Sequence, residues 1–177
     1  MAAPWFIGNE VLDPPGWLCP WPWRCRWSDA ALIRVPPNVP SANQIARTTW
    51  SAWHWAAGST ANGGLGGWNI VNPPLWWPGV GQVVDKVGRT TGWNRGFVTN
   101  SCVNFVAPWP APPGRLVLCQ YLMTNGAGPG DSGSPVFRQL IGTRTQVTGV
   151  LWGGINTPWF KRSIFSPRGG VFADLGV

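Results

Sequence analysis

Histidine is nearly absent from this chain of 177 residues, which has only His54. Any chemistry that needs an imidazole must use that one position. No run of about 20 apolar residues occurs, which excludes a membrane-spanning helix. The opening Met1-Ala2-Ala3-Pro4 has neither the basic region nor the long apolar core of a secretory leader. Internal repeats are missing, and low-complexity sequence is limited to Gly63 to Gly67 and a proline-rich stretch at Pro108, Pro110, Pro112 and Pro113, both short enough to be loops.

Glycine and proline, in contrast, are abundant, at 24 and 19 residues. They punctuate short apolar runs, which supports an all-β antiparallel sandwich or barrel and leaves helices poorly supported. The clearest strand candidates are Val11-Leu12, Ala30 to Val35, Trp68 to Val71, Gly96 to Val103, Leu116 to Met123 and Gln146 to Trp152. Several end at turn signals such as Asp13-Pro14-Pro15, Pro36-Pro37 and Asn72-Pro73-Pro74. The length allows a sizeable core in one domain or two small barrels.

The four cysteines suggest an exported protein. Cys19 and Cys25 close a short loop, and Cys102 and Cys119 flank the proline-rich hairpin, so the expected disulfides are Cys19–Cys25 and Cys102–Cys119. Zinc is the competing reading, but the pairs lie far apart and neither has the spacing of a zinc knuckle. No metal or other cofactor is expected. The net charge is +7 and there are 15 tryptophans, a combination that invites stacking on bases and pairing with phosphates. The arginines are scattered singly, however, and no nucleic-acid module is present. A solvated basic surface is therefore preferred to a nucleic-acid partner.

The most informative stretch runs Gly128-Pro129-Gly130-Asp131-Ser132-Gly133-Ser134-Pro135-Val136-Phe137. A serine hydroxyl is a weak nucleophile at neutral pH. It needs a base to take its proton and positive dipoles to receive the oxyanion that its attack creates. Gly130 and Gly133 can adopt unusual backbone angles and let a carbonyl approach bare N–H groups. A glycine-rich β-turn is the plainer alternative. Two further segments decide against it. Cys25-Arg26-Trp27-Ser28-Asp29-Ala30-Ala31-Leu32-Ile33 contains Ser-Asp-Ala-Ala-Leu, and Val83-Val84-Asp85-Lys86-Val87-Gly88-Arg89-Thr90-Thr91-Gly92-Trp93 contains Lys-x-Gly-Arg-Thr-Thr-Gly-Trp.

In this order the three motifs resemble the chymotrypsin-like serine proteases, in particular a bacterial branch near streptogrisin and α-lytic protease. The resemblance spans nearly the whole chain, from Pro4 to Val11 through the tail from Phe165-Ser166-Pro167 to Leu175-Gly176, read as a C-terminal strand and tail. It implies two β-barrels, a partial one at residues 1–74 and a more complete one at 75–177. It implies Ser132 as nucleophile, Asp29 as triad carboxylate, an oxyanion hole from the N–H groups of Gly130 and Ser132, and an ion pair of Arg89 with buried Asp131. Gly126 would lie at the base of the primary specificity pocket. Leu151, Trp152 and Gly153 would form the strand that pairs with an extended peptide or protein substrate, and an apolar or aromatic side chain is the expected guest rather than Arg or Lys.

The family order is His, Asp, Ser, yet no histidine precedes Asp29. The chain is therefore expected to be N-terminally incomplete relative to the family. His54 lies on the wrong side of Asp29, although a triad is defined by geometry rather than order, so it stays a candidate. The resemblance implies a serine endopeptidase acting by acyl transfer through Ser132, with activity impaired in this chain. The alternative is an inactive protease-like scaffold that grips extended peptides. Secretion is inferred from the cysteine pairs and the family. Tryptophan crowds residues 5 to 27 and 50 to 77, more than one core absorbs, so some rings are expected at the surface. There they would cover the open side of an incomplete first barrel or offer an edge for self-association.

Overall fold

The computed structural model describes residues 9–20, 23–48, 66–72, 74–107, 115–156 and 161–177. Six short strands come first: β1 (Asn9–Leu12), β2 (Trp17–Leu18), β3 (Arg24–Arg26), β4 (Leu32–Arg34), β5 (Gln44–Ala46) and β6 (Gly67–Ile70). Longer ones follow: β7 (Val83–Gly88), β8 (Gly92–Ala107), β9 (Arg115–Met123), β10 (Pro135–Gln139), β11 (Arg144–Asn156) and β12 (Lys161–Pro167), then one short helix, α1 (Arg168–Leu175).

The last six strands pair antiparallel in the cyclic order β7, β8, β9, β12, β11, β10 and back to β7, which closes a barrel and leaves no edge within the ring. Every strand contributes to its core: Val84, Val98, Tyr121 with Met123, Val136, Leu151 and Phe165 pack in one buried cluster. Alternate residues face outward, and there Val87 and Phe137 meet Ile45 and Trp68 in a second cluster that holds β5 and β6 against the barrel.

β8, β9 and β11 are longer than the ring requires. The overhangs of β9 and β11 receive N-terminal strands: β3 runs parallel to β9 at Arg24 to Arg26, and β6 runs parallel to β11 at Asn69 and Ile70. β1 and β4 form a separate two-stranded ribbon. Among the described residues the N-terminal strands close no ring of their own. The fold is all-β with a closed antiparallel barrel, within what the composition predicts.

Both expected disulfides are present, Cys19–Cys25 and Cys102–Cys119, and no group of metal-binding side chains occurs among the described residues. Trp17, Trp27 and Trp77 are exposed, as the density of indoles predicts. The expected C-terminal strand is β12, and the tail after it is the helix α1. β12 stops at Pro167, which caps α1 with extended backbone, and Gly176 ends the helix in left-handed backbone (φ 66°), its N–H donating to the Phe172 carbonyl.

Candidate active site

The loop between β9 and β10 is held by one buried carboxylate. Asp131 is fully buried and its two oxygens accept from five donors. Oδ1 receives the backbone N–H groups of Thr90 (2.8 Å) and Thr91 (3.2 Å). Oδ2 receives Lys86 Nζ (3.0 Å), Thr91 Oγ1 (2.7 Å) and the N–H of Gly128 (3.0 Å). Burial pushes this carboxyl's pKa up, but the Thr91 hydroxyl, the Gly128 and Thr90 amides and the Lys86 charge together hold it below the usual carboxylate range. Burial lowers the pKa of Lys86, against the pull of Asp131.

The ion pair thus falls to Lys86 and not to Arg89, the residue the motif suggested. Lys86 lies in β7 opposite Val136 of β10, so its side chain reaches the loop from inside the sheet. Arg89 is exposed in the β7–β8 turn, which gives Asp131 the Thr90 and Thr91 amides and the Thr91 hydroxyl rather than a guanidinium. Arg89 instead flanks Gly130, where an added Cβ would meet its Nη1 at 3.4 Å.

Because its folded-state pKa is depressed, Asp131 adds stability that is fully present above the unfolded carboxylate pKa and is lost as pH falls through the folded value. Acid titration followed by circular dichroism should therefore show a loss of stability below the ordinary carboxylate range. Asp131→Asn should lack that component.

Around this anchor the loop is shaped by Gly130 (φ 93°) and Gly133 (φ 86°), both in backbone that L side chains rarely adopt. The N–H of Asp131 donates to Gly128 O and that of Ser134 to Asp131 O, while Gly133 N donates to Leu151 O and Leu151 N to Ser134 O. Those bonds leave two amides over: among the described residues, the N–H groups of Gly130 and Ser132 donate to no protein group. Ser132 is exposed between them, its Oγ donating to the Trp152 carbonyl at 3.4 Å.

Ser132 lies on the wall of a cavity of about 260 Å³ that also takes in Ala127, Leu151, Gly153, Lys161, Arg162 and Ser163. Gly126 is buried between the lining residues Asn125 and Ala127, its carbonyl occupied by Asn94 Nδ2. Trp152 forms a bulge in β11 opposite β12, since Leu151 pairs with Phe165 and Gly153 with Ile164. Pairing with β10 ends at Val150. Beyond Leu151, β11 keeps one ladder edge unpaired among the described residues, and that edge lies beside Ser132.

Asp29 is exposed and does not line this cavity. A relay of hydrogen bonds nevertheless connects it to the site. Its N–H donates to Ser166 Oγ (3.0 Å), Ser166 Oγ donates to Gln120 Oε1 (2.7 Å), and the same Oε1 accepts Trp152 Nε1 (2.8 Å). The preceding residues are pinned by Asp174 of α1, which accepts from the Trp27 and Ser28 amides and the Ser28 hydroxyl. His54 falls outside the described residues.

Sequence reading missed Lys86, Gln120, Asp174 and the Lys161–Ser163 stretch. Lysine inside the apolar run Val83-Val84-Asp85-Lys86-Val87 was the available sign of a paired buried charge.

No family model matches the chain, and no curated protein matches it by sequence. Solved structures do. A chymotrypsin from Cellulomonas bogoriensis is 24% identical with a TM-score of 0.55, over 81% of this chain and 64% of that one. A glutamic acid-specific serine protease, described as using a histidine triad in substrate binding, is 20% identical with a TM-score of 0.60, over 94% of this chain and 70% of that one. Thermobifida fusca protease A is 21% identical with a TM-score of 0.56, over 81% of this chain and 63% of that one. The chain has the trypsin-like protease fold, and it spans about 64% of the length of the Cellulomonas enzyme.

Proposed function

We propose that this chain carries a serine-endopeptidase site of the chymotrypsin type, related to the streptogrisin and α-lytic branch, with Ser132 as the acyl-accepting nucleophile. The observation that carries the reading is the pair of undonated amides at Gly130 and Ser132, held beside an exposed hydroxyl by the Asp131 clamp. Two N–H groups with no partner are what a developing oxyanion needs. The unpaired edge of β11 from Trp152 onward suits an extended peptide, which would add as a further strand. On this reading residues 1–74 belong to a partial first barrel and residues 75–177 to the second, and the two disulfides fit an extracellular setting.

In this 177-residue polypeptide no histidine precedes Asp29, and among the described residues the Ser132 hydroxyl donates to the Trp152 carbonyl. The same observation favours the second reading, a protease-like scaffold that binds extended peptides without cutting them. Removing one triad member from such a site leaves only roughly 10³- to 10⁴-fold catalysis over water. A fluorophosphonate probe should accordingly label Ser132 far more slowly than it labels a competent protease, with Ser132→Ala as the blank. Labelling at the competent rate would show that a base is supplied, with His54 then the residue to replace.

A further inference from the structure

We infer that the protein has a second ligand site, a pocket for a medium-chain aliphatic carboxylate, which pairs its head with Arg168 and lays its tail between β11 and α1. The site stands apart from the serine loop. Among the described residues, this cavity of about 390 Å³ shares no lining residue with the one beside Ser132.

Three elements bound it. β6 runs parallel to β11 only at Asn69 and Ile70, and the chain leaves it through Val71, whose N–H still donates to Thr145 O. β12 pairs with β11 as far as Pro167, opposite Gly149, and α1 starts at the next residue. The space between them is walled by Ile70, Val147, Val150, Val171 and Phe172, all of them only half-buried. Ile70 and Val147 also pack on the cluster around Trp68 and Phe137, so that wall is fixed from behind. Apolar walls around a space of this size, with few polar groups, are the usual form of a small-molecule site.

Among the described residues Arg168 is the single charged group on the lining. Its side chain is already placed: the guanidinium lies 4.7 Å over the Phe172 ring, and Nη2 donates to Asn72 Oδ1. Among the described residues its Nε and Nη1 donate to no protein group, and neither does Nδ2 of Asn72, which shares the lining. The acid of the same helix does not compete for them. Asp174 accepts from the Trp27 and Ser28 amides, lies 3.7 Å from Arg26 Nε and is absent from this wall.

Charge and shape together choose the ligand. A carboxylate gains charge-assisted hydrogen bonds from a guanidinium that its neighbours hold in one geometry, whereas an amine meets like charge. The tail is aliphatic rather than aromatic, because the walls are branched aliphatic side chains and the one ring among them, Phe172, has the guanidinium on its face.

The test is titration of the full chain with octanoate, followed through the methyl NMR signals of Val147, Val150 and Val171. Octanoate should bind about tenfold or more tighter than 1-octanol, octylamine should be weaker still, and the octanoate advantage should shrink with salt. Hexanoate should bind about tenfold more weakly than octanoate, since each buried methylene is worth about fourfold. Arg168→Gln should bring octanoate to the affinity of octanol and leave octanol unchanged. Ser132→Ala should alter none of these affinities, so failure of the serine-site reading would not touch this one.

No binding of octanoate, equal affinity for octanoate and octanol, an advantage that survives Arg168→Gln, or methyl shifts centred on Ala127 and Leu151 beside Ser132 would each overturn the assignment. The ligand series on the parent protein decides the matter even where Arg168→Gln folds poorly.

Discussion

Asp131→Ala should destabilise the protein by about 3–5 kcal/mol, the largest single effect expected of any polar residue in the barrel. Two costs combine. Lys86, also fully buried, loses its counter-ion, and four other donors lose their acceptor. Lys86→Met should cost less, because Asp131 keeps the Thr90, Thr91 and Gly128 amides and the Thr91 hydroxyl. In the double variant the costs should be smaller than their sum, since each single change leaves a stranded partner that the double change removes. Denaturant unfolding measures all three. An Asp131→Ala protein within about 1 kcal/mol of the parent would mean that the clamp is not what shapes the loop.

Gly149→Ala should cost about 3 kcal/mol or more. Gly149 pairs with Pro167 across the β11–β12 ladder, and a Cβ there would fall 2.3 Å from the backbone oxygen of Ser166 and 2.6 Å from Cδ2 of Phe165. Backbone in a closed ring cannot step aside as a flexible side chain can, and Phe165 is itself a fully buried core residue. The melting temperature should fall by roughly 6–12 °C. Gly142→Ala makes a useful contrast: it has open space around its Cβ and carries only the strain of φ 70°. If the two variants melt together, the ring is looser at β12 than its packing implies.

Much of the barrel was legible because its long strands carry apolar runs, as at Leu116 to Met123 and Gln146 to Trp152. β2, β3 and β5 were not, since two or three residues give no period to read. The nucleophile loop was legible from its glycines and its Asp-Ser pair. Which cation faces Asp131 was not, because Lys86 and Arg89 are three residues apart and only the register of Val136 against Lys86 decides between strand and turn. Lys161 and Arg162 look like a solvated strand end in sequence. Barrel closure alone carries β12 round to the wall that Ser132 shares.

The two anchors of the site differ in how far apart in the chain their partners lie. Lys86 and Asp131 are separated by 45 residues, whereas the Asp29 amide and the Ser166 hydroxyl are separated by 137. Closing the longer span costs about 1 kcal/mol more in chain entropy, and it has a completed β12 as its target. Refolding will therefore shape the serine loop before Asp29 docks, and a signal from Trp27 will trail one from Trp152 when folding is followed in time.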